Sequence, residues 1–130
     1  AVAPGDASAW ERLGRLCLRL GDRLGARDAL ERARAIAPTE EGLLDLALVH
    51  QLSGDVGAEV TACEAATLLA PRSLTAWSRL AHALARTDRV SDAIAACERA
   101  MDLGTDAEVA ALLRSLRARE PRRLPQETAA

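Results

Sequence analysis

The 130-residue chain contains no Lys, Asn, Phe or Tyr, and its only aromatic residues are Trp10 and Trp77. With almost nothing for bases to stack on and a formal net charge of -2, it offers no basic field to a polyanion, which argues against nucleic-acid binding. No apolar run approaches the roughly 20 residues of a membrane span, and Ala1 to Asp6 lack the basic and apolar regions of a signal peptide. A soluble, cytoplasmic chain without membrane insertion is expected. Cysteine and histidine are too sparse and wrongly spaced for ligand pairs: there is no C-x-x-C, and His50 and His82 stand far apart. No Ser/His/Asp order, Gly-rich phosphate loop or paired carboxylates are recognisable, so no catalytic residue, metal or cofactor is expected and the chain reads as a non-enzyme.

What remains is Ala and Leu, a composition suited to closely packed helices and poorly suited to strands. All seventeen basic residues are Arg, which fits a GC-rich coding bias shared with Ala, Gly and Leu. Three segments superimpose at offsets of 33 and then 34 residues. Trp10, Leu43 and Trp77 align, as do Leu13, Leu46 and Leu80; Leu30, Cys63 and Cys97; and Ala33, Ala66 and Ala100. A fifth column, Pro38, Pro71 and Thr105, closes each unit. Such a period marks a helical-repeat array.

Apolar spacing and breakers predict helices over about 8–20, 24–36, 40–52, 57–70, 74–86, 91–103 and 106–119. Gly21-Asp22, Gly54-Asp55 and Thr87-Asp88 split three hairpins, and Ser8, Thr39, Ser73 and Thr105 are the expected caps. The fold class is therefore all-α: a solenoid of three antiparallel hairpins, over about 7–39, 40–73 and 74–107, with an amphipathic cap helix at 106–119 and a disordered tail at 120–130. Cys63 and Cys97 share a column, and stacked equivalents lie about 8–10 Å apart, too far for a disulfide. Small buried hydrophobes are the expected role of the cysteines. His50 falls in a core column, where a hydrogen-bonded interior imidazole is expected. Glu59 falls in a small-residue column, where a slight helix rotation would bring Ala58 in instead.

Trp10, Leu13, Gly14, Ala26, Ala33 and Pro38 fit the W-x2-L-G-x2-Y…A-x3-F…A…P pattern, so the chain resembles the tetratricopeptide repeat over about residues 7–107. The resemblance implies a protein-interaction adaptor whose first helices line a concave groove. It places Arg15, Arg19, Leu44, Leu48, Leu52, Arg79, His82 and Arg86 there, with Glu11 and Asp45 among their neighbours. Leu44, Leu48 and Leu52 recur every four residues beside a face already supplied by Leu43, Leu46 and Ala47. They read either as packing against neighbouring helices or as an apolar floor between arginine walls, the latter suited to an acidic-hydrophobic peptide or amphipathic helix.

A related subfamily clamps the terminal carboxylate of chaperone tails. The matching places here hold Glu11, Arg15, Asp45, Thr75 and Arg79, so only Arg79 fits and tail capture is not expected. The asparagine ladder of the O-GlcNAc transferase superhelix is missing as well. Two alternatives stand beside the adaptor reading: a regulatory or substrate-docking domain of a larger enzyme, and a self-assembling structural subunit. The second draws on charge, because the middle repeat is acidic whereas Arg114, Arg117, Arg119, Arg122 and Arg123 make the end basic, which suggests weak self-association.

Overall fold

The computed structural model describes residues 5–120, and the expected tail, beyond Glu120, lies outside them. Seven helices follow in order among the described residues: α1 (Ala7–Arg19), α2 (Arg23–Ile36), α3 (Glu40–Leu52), α4 (Val56–Leu69), α5 (Leu74–Ala85), α6 (Val90–Leu103) and α7 (Ala107–Arg119). Each packs mainly on its neighbour in sequence, and the first helices of successive hairpins also touch. The result is the expected solenoid of three hairpins and a cap.

Capping chemistry explains where the helices begin. Asp22 and Asp55 accept from the amides of Gly25 and Ala58, just after Gly21 and Gly54 turn the chain at φ +77°. The third turn has neither device. There Thr87 Oγ1 accepts from the Arg89 amide and donates to the Leu84 carbonyl, and α6 starts without a side-chain cap. Ser8 and Thr105 do not cap as expected. Asp6 and Asp106 take those positions, since α1 begins at Ala7 and α7 at Ala107, and a carboxylate accepts amide hydrogens more strongly than a hydroxyl.

The remaining caps also join repeat to repeat. Thr39 Oγ1 accepts from the Gly42 amide at 3.0 Å and donates to the buried Glu11 carboxylate at 2.6 Å. Ser73 repeats the arrangement one unit on, accepting from Ala76 and donating to Glu40. A single hydroxyl thus fixes the start of one hairpin to the first helix of the hairpin before it.

The core is built on small side chains. Ala26, Ala33, Ala66, Ala93 and Ala100 are essentially inaccessible, and Leu30, Cys63 and Cys97 fill the neighbouring column. The largest cluster joins the second and third hairpins to the cap through Val109 and Leu116, both fully buried. Trp10 and Trp77 are each covered by an arginine from the following helix, with the Arg32 guanidinium 4.9 Å from one ring and that of Arg99 5.2 Å from the other.

In the apolar core the close approach is seen at Gly14, where an added Cβ would lie 2.6 Å from Leu30 Cγ. The equivalent positions Ala47 and Ala81 tolerate a methyl. Gly14→Ala gains about 1 kcal/mol of helix propensity but crowds a buried leucine at about 1–3 kcal/mol. Net destabilisation is therefore expected in urea unfolding, although the same change stabilises most exposed helices; a rise in midpoint would show that Leu30 has room.

Candidate ligand-binding cleft

α3 and α5 run side by side on the face formed by the first helices, and a cleft of about 270 Å³ opens between them. Ala47, Leu48 and Gln51 line it from α3, and Ser78, Arg79, His82 and Arg86 from α5. Glu59 and Cys63 close its depth from α4, and Glu108 reaches it from the cap. Four of the eight residues expected in a groove meet here: Leu48, Arg79, His82 and Arg86. Arg15, Arg19, Leu44 and Leu52 do not line it. Leu44 packs partly against Leu43, Ala66 and Ala76, whereas Leu52 and Arg19 lie exposed at the helix ends.

Electrostatics separate the cations of this face. Arg86 pairs with Glu59, which is only 4% exposed despite its charge. Burial pushes the Glu59 carboxyl above its ordinary range, and Arg86 pulls it part of the way back. The helix is not rotated to exchange it for Ala58: Glu59 stays in the alanine column, because Arg86 reaches across from α5 to neutralise it. Arg79 has no ion-pair partner among the described residues. His82 Nδ1 lies 2.8 Å from the Ser78 carbonyl. A carbonyl only accepts, so Nδ1 carries the hydrogen and Nε2 is left for the cleft.

Arg15 is engaged one repeat earlier. It meets Glu41 at 3.0 Å and Asp45 at 3.1 Å, with Glu11 at 3.9 Å. Arg15 Nε and Asp45 Oδ2 face each other as a charge contact, neither atom in a well-directed hydrogen bond. Burial holds the Asp45 carboxyl above its usual range; Arg15 opposes this, whereas Glu41 and Glu11 add to it. Three carboxylates around one guanidinium make that end of the face acidic.

Two of the three cysteines take their expected core role, whereas Cys17 is only partly buried beside Ala26 and Leu30. Cys63 and Cys97 are buried and unbridged, and burial pushes the Cys63 thiol up to about 12. His50 departs from expectation. It stands half-buried at a groove between α2 and α4, lined also by Glu31, Arg34 and Thr61. A larger groove of about 400 Å³, floored by Trp77, Leu80 and Leu84, has its charges internally satisfied: Arg89 meets Asp92 at 2.9 Å and Glu64 at 3.7 Å, and Arg99 covers Trp77. The α3–α5 cleft holds Arg79, a cation with neither an ion-pair partner nor an aromatic ring beneath it among the described residues. Among the described residues no cluster of His, Cys, Asp and Glu is arranged to hold a metal ion, and no helix is long and apolar enough to cross a membrane.

The same architecture occurs in solved structures. The first TPR of Spaghetti (RPAP3), bound to the HSP90 peptide SRMEEVD, superimposes with a TM-score of 0.78 over 91% of this chain and 98% of that one, at 18% identity. The chain has the tetratricopeptide-repeat fold. The type III secretion chaperone SycD of Yersinia enterocolitica, in complex with a peptide of the translocator YopD, gives 0.78 over 88% and 94% at 11% identity. An O-GlcNAc transferase mutant of Thermobaculum terrenum gives 0.69 at 26% identity, with 85% of this chain covering 22% of that one. No family profile and no curated protein matches the sequence.

Within this tetratricopeptide array, the groove positions implied by the resemblance include Leu48, Arg79, His82 and Arg86 of this cleft but not Gln51, Glu59 or Glu108. Glu59 carried a signal, as a charge in an alanine column. Glu108 carried none, since the angle of a cap helix depends on packing rather than on period.

Glu59 and Asp45 both bind protons more tightly in the folded chain than their ordinary values imply. Between the ordinary and the raised values the folded state holds more protons than the unfolded, so their contribution to stability falls as pH rises through that window. Glu59→Gln should flatten this part of the pH profile. Arg86→Ala, which leaves the carboxylate buried and unpaired, should cost about 3 kcal/mol at neutral pH and less on acidification. Urea unfolding across pH measures both.

Proposed function

We propose that the chain is a protein-interaction adaptor that holds a partner segment in the α3–α5 cleft, and that the segment carries an acidic side chain beside a large apolar one. The observation that carries this reading is the pairing state of the cations: Arg79 stands unpaired beside Leu48 and His82 in a cleft whose other arginine already has Glu59. A carboxylate on Arg79 gains a charge-assisted contact without displacing an internal one, and an apolar side chain covers Leu48 and Ala47. His82 Nε2 accepts a hydrogen bond, or donates one when the ring is protonated.

Peptide complexes of RPAP3 and SycD on the same fold support a peptide-binding role. Here the carboxylates of Glu11, Glu41 and Asp45 repel a C-terminal acidic tail from the earlier part of the face, so the proposed contact is confined to the second and third hairpins. A second reading, a docking domain within a larger enzyme, is favoured by the likeness to one segment of the O-GlcNAc transferase. It uses the same cleft.

Selection from a random-peptide library, followed by fluorescence polarisation of the enriched sequences, tests the proposal. Sequences pairing Asp or Glu with a large apolar residue should be enriched, and Arg79→Glu or Leu48→Glu should weaken each by about tenfold or more. Enrichment of basic peptides, or affinity indifferent to both variants, would refute it.

A further inference from the structure

We propose that Glu108 makes the cleft a two-charge site, so that the partner segment carries a basic side chain on the side of its carboxylate away from its apolar residue. The inference rests on the cleft reading above and fixes the order of chemistry along the segment. Helix order supplies the argument. α5 touches both α3 and α7, whereas α3 and α7 do not touch each other among the described residues. The cleft therefore crosses three helices in turn, with Leu48 and Gln51 on α3, Arg79 and His82 on α5, and Glu108 on α7. An apolar surface, a cation and an anion follow one another across it.

Neither charge is consumed internally. Arg79 and Glu108 line the same cleft, yet among the described residues neither makes an ion pair, with the other or with a third group. Arg86 turns to Glu59, Arg117 to Glu98 and Arg119 to the Ala85 carbonyl. Glu108 is exposed and its carboxylate does not cap α7, since Asp106 accepts from the Glu108 and Val109 amides. Unlike charges held apart on one surface exclude as well as select. A segment with carboxylates at both places is repelled by Glu108, and one with cations at both places is repelled by Arg79. An acid over α5 followed by a base over α7 satisfies both. A polyacidic segment, which arginines alone would accept, is turned away by the cap, and the order of apolar, acidic and basic groups decides which end of the segment faces it.

The probe is a phage-displayed random-peptide library, selected in parallel on the native chain and on Glu108→Arg. The native chain should enrich an acid with a large apolar residue on one side and Arg or Lys on the other, whereas Glu108→Arg should enrich Asp or Glu in place of that cation. Fluorescence polarisation of two enriched peptides differing only there should show a preference of about fivefold for the basic one, reversed by Glu108→Arg. Circular dichroism verifies that the variant is folded. Enriched peptides that lose affinity in Arg79→Glu but are indifferent to Glu108→Arg would overturn the inference and leave the cleft reading intact. Tighter binding of the cation-bearing peptide by Glu108→Gln would also overturn it, by showing that Glu108 competes with the ligand for Arg79. Enriched peptides indifferent to Arg79→Glu and Leu48→Glu would refute the cleft reading, and this inference with it.

Discussion

Everything in this array depends on how closely its helices approach, and alanine sets that distance. Ala26, Ala33, Ala66, Ala93 and Ala100 have no side chain beyond Cβ to separate the helices they lie between, and all are essentially inaccessible. Leu30, Cys63 and Cys97 then fill the space that such crossings leave. A nearly aromatic-free core can work this way, because many short contacts replace a few large ones. Its limit shows at Gly14, where even a methyl group meets Leu30.

The same constraint makes the one exception informative. Glu59 occupies the alanine column in the middle repeat and brings a carboxylate to a depth where its neighbours in register have a methyl. Burial disfavours its ionised form, and Arg86 compensates from the next hairpin. Its position is at the bottom of the cleft that also gathers Leu48, Arg79 and His82. A break in the packing rule and a concentration of polar groups coincide there, as expected where a surface is shaped for binding as well as folding. At the preceding junction Arg15 fills the corresponding place, held by Glu41 and Asp45.

Helix number, hairpin pairing and the cap were legible from the columns, because the period repeats three times and each breaker falls in register. Boundaries shifted by about a residue wherever an aspartate outcompeted a hydroxyl for the cap, as at Asp6 and Asp106. The site was legible in half. Position on a helix gives the direction of a side chain, which was enough for Leu48, Arg79 and His82. It does not give the ionic partner, which is why Arg15, Arg79 and Arg86 looked alike in sequence and differ in the structure. Long side chains choose partners by reach across helices, and a linear period holds no record of that.

The most direct test of this account is the unfolding free energy of Glu59→Ala in urea at neutral pH. The substitution restores the alanine column, removes a buried carboxylate and leaves Arg86 to solvent. The account predicts stability equal to that of the native chain or greater by about 1 kcal/mol, since a buried ion pair replaced by an apolar group is often neutral or stabilising. A loss of about 2 kcal/mol or more would contradict it, showing that the Glu59–Arg86 pair holds the second and third hairpins together and that close alanine packing is not the governing constraint.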